Sequence, residues 1–107
     1  MNVKDLERNS AAAARFLKAL GNERRLRMLC RLHEGELSVG ALQEAVGLSQ
    51  SALSQHLARL RRARLVRTRR ESQTIYYALA DTAVTEVVGV LYRRFCAPRA
   101  KGRRTTE

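Results

Sequence analysis

Two start signals of the same kind, eleven residues apart, constrain the fold of this chain most strongly. Leu37-Ser38 is followed by Leu42 four residues after the serine, and Leu48-Ser49 is followed by Leu53 at the same offset. In each, a serine able to cap a helix amino terminus sits between two apolar residues that close over the first turn as a hydrophobic staple. The pattern predicts helices over about Val39 to Val46 and about Gln50 to Ala63, joined by a tight turn at Gly47. That is the spacing of a helix-turn-helix.

The flanks fit such a unit. From Asp5 to Leu20, Leu6, Ala13, Phe16, Leu17 and Leu20 recur at helical spacing, with Gly21 just past the end. Asn22 then reads as the N-cap of a short helix presenting Leu26, Leu29, Cys30 and Leu32, closed by Gly35. After Ala63 the period drops to two: Val66 and Thr68 alternate against Leu65, Arg67 and Arg69, and Ile75, Tyr77 and Leu79 alternate against Tyr76 and Ala78, which predicts a hairpin turning at Glu71-Ser72-Gln73. From Asp81 to Cys96 the helical period returns, with Val84, Val88, Leu91 and Phe95 as one stripe and Ala83, Val87 and Val90 as another. An apolar arc that wide exceeds what one side of a small domain covers, so the first and last helices are expected to pack on the core and on a second subunit together. The expected fold is mainly α with a small β-hairpin, a winged helix-turn-helix of about five helices plus a two-stranded wing. Residues 1–97 form the expected DNA-binding and dimerisation domain, and 98–107, with Pro98, Gly102 and no apolar period, a basic flexible tail.

Composition narrows the function. A chain of 107 residues holds one core and excludes an enzyme with a separate cofactor lobe. Lys and Arg total 21 against 10 Asp and Glu, a formal charge of +11 that points to a polyanionic partner. Eighteen of those cations are Arg, whose planar fork suits phosphate oxygens and guanine edges, so nucleic acid leads over a membrane surface. No apolar run approaches the ~20 residues of a membrane span, and the amino terminus lacks a signal-peptide stretch, so the expected location is the cytoplasm. No Ser-His-Asp set, paired carboxylates or phosphate-cradling glycine loop appears, and neither enzyme activity nor a cofactor is expected. Two cysteines and two histidines are too few for a disulfide framework or a single-chain zinc finger.

The predicted helix from Gln50 turns Ala52, Leu53, Leu57 and Leu60 inward and leaves Gln50, Ser51, Ser54, Gln55 and Arg59 outside, where amides and hydroxyls of this reach could read base edges. A solvated surface face has the same residue types, but the neighbourhood favours DNA. No acid lies between Glu44 and Glu71, whereas Arg59, Arg61, Arg62, Arg64, Arg67, Arg69 and Arg70 all do. Arg69 and Arg70 in the hairpin are expected to grip phosphates, with Gln73 at its turn. His56, at the border of the apolar and polar arcs, is either a boundary residue or a DNA contact. His33 reads as packed or solvent-facing.

The run LGNERRLRMLCRL, followed by ELSVGALQEAVGLSQSALSQHLARLRRARLVRTRRESQTIYYAL, resembles the ArsR/SmtB winged-helix repressors over roughly residues 13 to 96. The resemblance implies a homodimer paired through the first and last helices, a recognition helix at Ser49 to Ala63, a wing at the hairpin and an operator of inverted-repeat duplex DNA. Many such proteins sense metals, but Leu37-Ser38-Val39-Gly40 stands where some carry cysteines, and Asp81 followed by Ala83 where others pair Asp with His, so no metal site is expected. Cys30 and Cys96 instead resemble the dithiol persulfide- and redox-sensing branch (BigR/SqrR type), which implies reactive sulfur species or oxidants as inducers and operator release when the two are linked. A thiophilic metal or metalloid sensor using the same cysteines, with His33, is the alternative. Arg27 and Arg31 near Cys30, and Arg93 and Arg99 about Cys96, are expected to favour the reactive thiolates, with Glu34 opposing at Cys30. Burial of Cys30 as a small hydrophobe between Leu29 and Leu32 is the competing expectation.

Overall fold

The computed structural model describes residues 1–96, so the expected basic tail lies outside the described residues. Six helices and three strands follow in order: α1 (Val3–Arg8), α2 (Ser10–Leu20), α3 (Glu23–His33), β1 (Leu37–Ser38), α4 (Val39–Val46), α5 (Gln50–Arg62), β2 (Val66–Glu71), β3 (Thr74–Leu79) and α6 (Thr82–Phe95). The architecture is the mainly helical winged fold expected, with two corrections of detail.

The first predicted helix is two. Asn9 leaves helical geometry at φ −104° and ψ 16°, and its backbone N–H bonds the carbonyls that end α1 while its side-chain amide donates to Asp5 O at 2.8 Å. Asparagine competes with helical backbone in this way, and apolar periodicity alone is blind to it. The second correction is a third strand. Leu37 and Ser38 pair antiparallel with Tyr77 and Tyr76, giving the sheet order β1-β3-β2. An N-cap residue is extended before its helix begins, and Ser38, at φ −70° and ψ 161°, serves as strand end and cap together.

Both serine caps form. Ser38 Oγ accepts from Ala41 N and Ser49 Oγ from Ala52 N, each at 3.1 Å. Between them Gly47 takes the left-handed conformation, φ 68°, and Gln43 Nε2 donates to Leu48 O at 3.2 Å across the turn. A side chain at Gly47 would strain that backbone, which is why glycine serves there.

The core gathers Met28, Leu29 and Leu32 of α3, Leu42 and Val46 of α4, and Leu53, Leu57 and Leu60 of α5, with Leu65, Tyr77, Val84 and Val88 closing it. Each fully buried leucine contributes roughly 1.5–3 kcal/mol relative to exposure, so α3 and α5 are held as one body. The wing pairs Val66 with Leu79 through Glu71 with Thr74, leaving a two-residue turn in which Ser72 is left-handed at φ 58°. On α6 only Val84 and Val88 are buried; Leu91 is half-buried, and Val90, Tyr92 and Phe95 are exposed, as are Leu6 and Leu17. The helix packs on the core along one part of its apolar arc and leaves the rest exposed in the single chain. Among the described residues no helix is long and apolar enough to cross a membrane.

Candidate nucleic-acid interface and cysteine cleft

On α5, Leu53, Leu57 and Leu60 face the core, and the opposite side presents Gln50, Ser51, Ser54, Gln55 and Arg59, all exposed. Arg70 and Gln73 are exposed on the wing. Two other expected residues sit differently. His56 is half-buried, with Nδ1 3.5 Å from Arg25 Nη1. Burial, then the charges of Arg25, Arg24 and Arg59, hold its imidazole below the usual histidine range and therefore neutral. Arg69 is exposed but engaged: its guanidinium donates to Glu36 at 2.8 and 2.9 Å and to Glu71 at 2.8 Å, and lies 4.5 Å over the Tyr76 ring. These bonds raise the Arg69 pKa, and in return the Arg69 bond lowers that of Glu36. The stretch without acids between Glu44 and Glu71 thus acquires acids in space at this one arginine, because β1 carries the end of the Glu36 segment against the sheet.

Arg25 escaped the sequence reading. It is nearly buried, donating from Nε to Ala19 O at 2.8 Å and from Nη2 to Lys18 O at 3.1 Å, and so ties the end of α2 to α3 and to His56 of α5. Burial, and then Arg59, lower its pKa. The signal was present: Arg25 precedes Met28, Leu29 and Leu32 at helical spacing, on the face that turns inward.

On α3 and α6 lies a second feature. Cys30, His33 and Glu34 face Leu91, Tyr92, Phe95 and Cys96 across a largely apolar cleft of about 480 Å³. Both thiols are free and exposed. Cys30 is therefore not the buried hydrophobe that was one expectation. Its thiol is also not activated as the neighbouring arginines suggested: partial burial, then Cys96 and Glu34, push its pKa up. Arg31 lies 3.8 Å from Glu34, to which its charge is directed, and Arg27 lines another hollow with Asn22, Glu23 and Arg24. Cys96 ends α6, its N–H bonded to Tyr92 O at 2.8 Å. No group of three His, Cys, Asp or Glu among the described residues is placed to hold a metal ion.

The profile of the family described as "Bacterial regulatory protein, arsR family" matches residues 22–68, from the cap of α3 into the wing. The transcriptional activator HlyU of Vibrio cholerae is 54% identical over 96 residues, covering 90% of this chain and 89% of that protein. The crystal structure of the transcriptional repressor BigR from Xylella fastidiosa superposes with a TM-score of 0.85 at 40% identity, covering 92% of this chain and 100% of that one. The solution structure of the homodimeric winged helix-turn-helix DNA-binding domain of Mb0332 from Mycobacterium bovis superposes with a TM-score of 0.73 at 33% identity, covering 81% of each. With the capped helix pair, the wing and these likenesses together, the chain belongs to the ArsR family and is a DNA-binding transcriptional regulator rather than an enzyme.

Proposed function

We propose that the protein is a homodimeric repressor whose grip on an inverted-repeat operator is released when persulfide or oxidant links Cys30 to Cys96. The observation that carries this reading is the common cleft: residues 66 positions apart in sequence, Cys30 on α3 and Cys96 capping the end of α6, border one hollow and are both exposed. Gln50, Ser51, Ser54 and Gln55 read base edges, while Arg59, Arg69, Arg70 and Gln73 contact the backbone, Arg69 with part of its charge already met by Glu36 and Glu71. Neutral His56, turned toward Arg25, positions α5 rather than reading a base. Dimerisation is supported by Leu6, Leu17, Val90 and Phe95, apolar side chains left exposed on α1, α2 and α6, and by the homodimeric relative. Of the relatives, BigR is named a repressor and HlyU an activator, and release of DNA by an inducer fits the repressor.

The chemistry balances within the dithiol. The Cys96 thiolate attacks the outer sulfur of a persulfide R–S–SH, expelling the thiol and leaving Cys96 as its own persulfide. Cys30, as thiolate, then attacks the inner sulfur, forming the disulfide and expelling hydrosulfide, so two electrons from the thiols reduce one sulfane sulfur. The raised pKa of Cys30 supports the second step for it. A thiophilic metal using the same cleft is the weaker reading, since His33 and Glu34 border it without completing a three-donor group. Non-reducing peptide mapping after persulfide treatment tests the dithiol: the peptides of Cys30 and Cys96 are expected joined within one chain. Joining between subunits only, or none, overturns the reading.

A further inference from the structure

A second cleft, of about 510 Å³, opens between α2 and the carboxyl end of α5, and cations dominate its walls: Arg15 and Lys18 on one side, Arg59, Arg62 and Arg64 on the other. None of these five takes part in an ion pair among the described residues. Arg25, bonded to the carbonyls of Lys18 and Ala19 in one wall of the cleft, adds a sixth cation close by, its pKa lowered in part by Arg59. Cations in the last turn of a helix answer the helix dipole, which accounts for Arg59 and Arg62 on their own. It does not account for Arg15, in the middle of α2, directed at the same space.

Arg64 supplies an independent observation. The end of α5 is a Schellman turn, with Leu65 N bonded to Leu60 O at 3.0 Å and Arg64 N to Arg61 O at 2.9 Å. The left-handed residue of that turn is normally glycine or asparagine, yet here Arg64 holds it at φ 62°. A strained position occupied by a long cation, at the rim of a cleft already rich in cations, points to a use for the side chain.

We propose that this cleft clamps the phosphate backbone of duplex DNA beside the bases read by α5. The inference rests on the reading that the polar face of α5 meets DNA. At 100° per residue, Ser51, Gln55 and Arg62 share one stripe of the helix, and Arg62 lies seven residues, about 10 Å, beyond Gln55. The major groove is about 12 Å wide, so a duplex whose base edges meet Gln55 carries a phosphate strand at the level of Arg62. There Arg15 and Lys18 of α2 close on it from the other side. The contact extends the DNA surface beyond the recognition helix and wing onto α2, whose last turn Arg25 ties to α3, the helix of Cys30.

Because the clamp grips phosphates, a labelled mixed-sequence duplex of about 30 base pairs, three helical turns, suffices as probe. Binding of the full chain is followed by fluorescence anisotropy over a salt series for wild type, Arg15→Ala/Lys18→Ala, Arg64→Gly and Arg70→Ala. Each lost phosphate contact lowers the slope of log affinity against log salt by about 0.9. The double variant is expected to lower it by about four contacts, two from each protomer of the homodimer. Arg64→Gly is expected to lower it by about two, one from each protomer, while raising the melting temperature, because glycine relieves the left-handed strain. If Arg64→Gly raises the melting temperature and leaves the slope unchanged, and the double variant does the same to the slope while Arg70→Ala still lowers it, the clamp is wrong and the DNA reading stands. If no variant changes the slope, the DNA reading falls, and the clamp with it. Tight binding of inorganic tripolyphosphate that the double variant abolishes, with duplex binding unaltered, makes this a small-anion site and also overturns the clamp.

Discussion

The exposed face of α5 and the cleft between α3 and α6 are built in opposite ways. Apart from His56, which turns toward Arg25, the residues expected to read DNA on α5 are placed by their own helix: Ser49 caps it, Leu53, Leu57 and Leu60 anchor it, and the polar side follows from the period. The cleft is placed by tertiary packing alone, since α3 and α6 meet only because Met28, Leu29, Val84 and Val88 share a core. Residues on the face are exposed, whereas Cys30 has its thiol shifted by burial, by Cys96 from the far end of the chain and by Glu34 one turn on. A reading surface thus needs one well-capped helix, and a sensing site needs the whole fold.

The largest way to break this comparison is to loosen the core on which both regions depend. Leu60→Ala, at a fully buried position, is expected to cost about 2–5 kcal/mol in urea unfolding. Phe95→Ala, two-thirds exposed in the single chain, separates the regions: it is expected to spare the core and weaken dimerisation in sedimentation.

Substitutions within the face sharpen it. Gln55→Ala is expected to reduce discrimination among duplexes selected from a random library by about 1–3 kcal/mol, if the amide makes a bidentate base contact. Arg70→Ala should weaken all duplexes alike and lower the salt slope, and Arg69→Ala should do so less, because Glu36 and Glu71 already neutralise that guanidinium. Equal effects of Arg69→Ala and Arg70→Ala would contradict the pairing. Ser49→Ala removes the bond to Ala52 N and is expected to cost about 1 kcal/mol, measured by thermal unfolding.

The smallest effect is a pH dependence at the junction of α3 and α5. The pKa of His56 is lower folded than the ordinary ~6.5 of the unfolded chain, so between those values the unfolded state binds more protons and stability rises with pH. The contribution is complete above about 6.5 and is lost as pH falls through the folded value. Urea midpoints at about pH 7.5 and 5.5 are expected to differ more in wild type than in His56→Ala; an equal difference contradicts the neutral contact with Arg25.

What could be read from the chain follows the same division. The caps at Ser38 and Ser49, the turn at Gly47 and the wing were legible because each depends on neighbours a few residues away. The break at Asn9 was missed because apolar spacing passes over a side chain that competes for backbone bonds. The bonds of Arg69 to Glu36 and of Arg25 to Lys18 O, Ala19 O and His56 were hidden because they are tertiary, although Arg25 stood on the apolar face of α3. The cysteines were singled out by resemblance, but their shared cleft and the upward shift of Cys30 depend on α6 packing over α3.

The central claim is that Cys30 and Cys96 act as one switch on DNA binding. It is tested most directly by anisotropy titration of a selected duplex with wild type, Cys30→Ser, Cys96→Ser and the double variant, each before and after a persulfide donor. The expected result is equal affinity for all four when reduced, and loss of binding after treatment in wild type alone. Loss that persists in the double variant contradicts the switch.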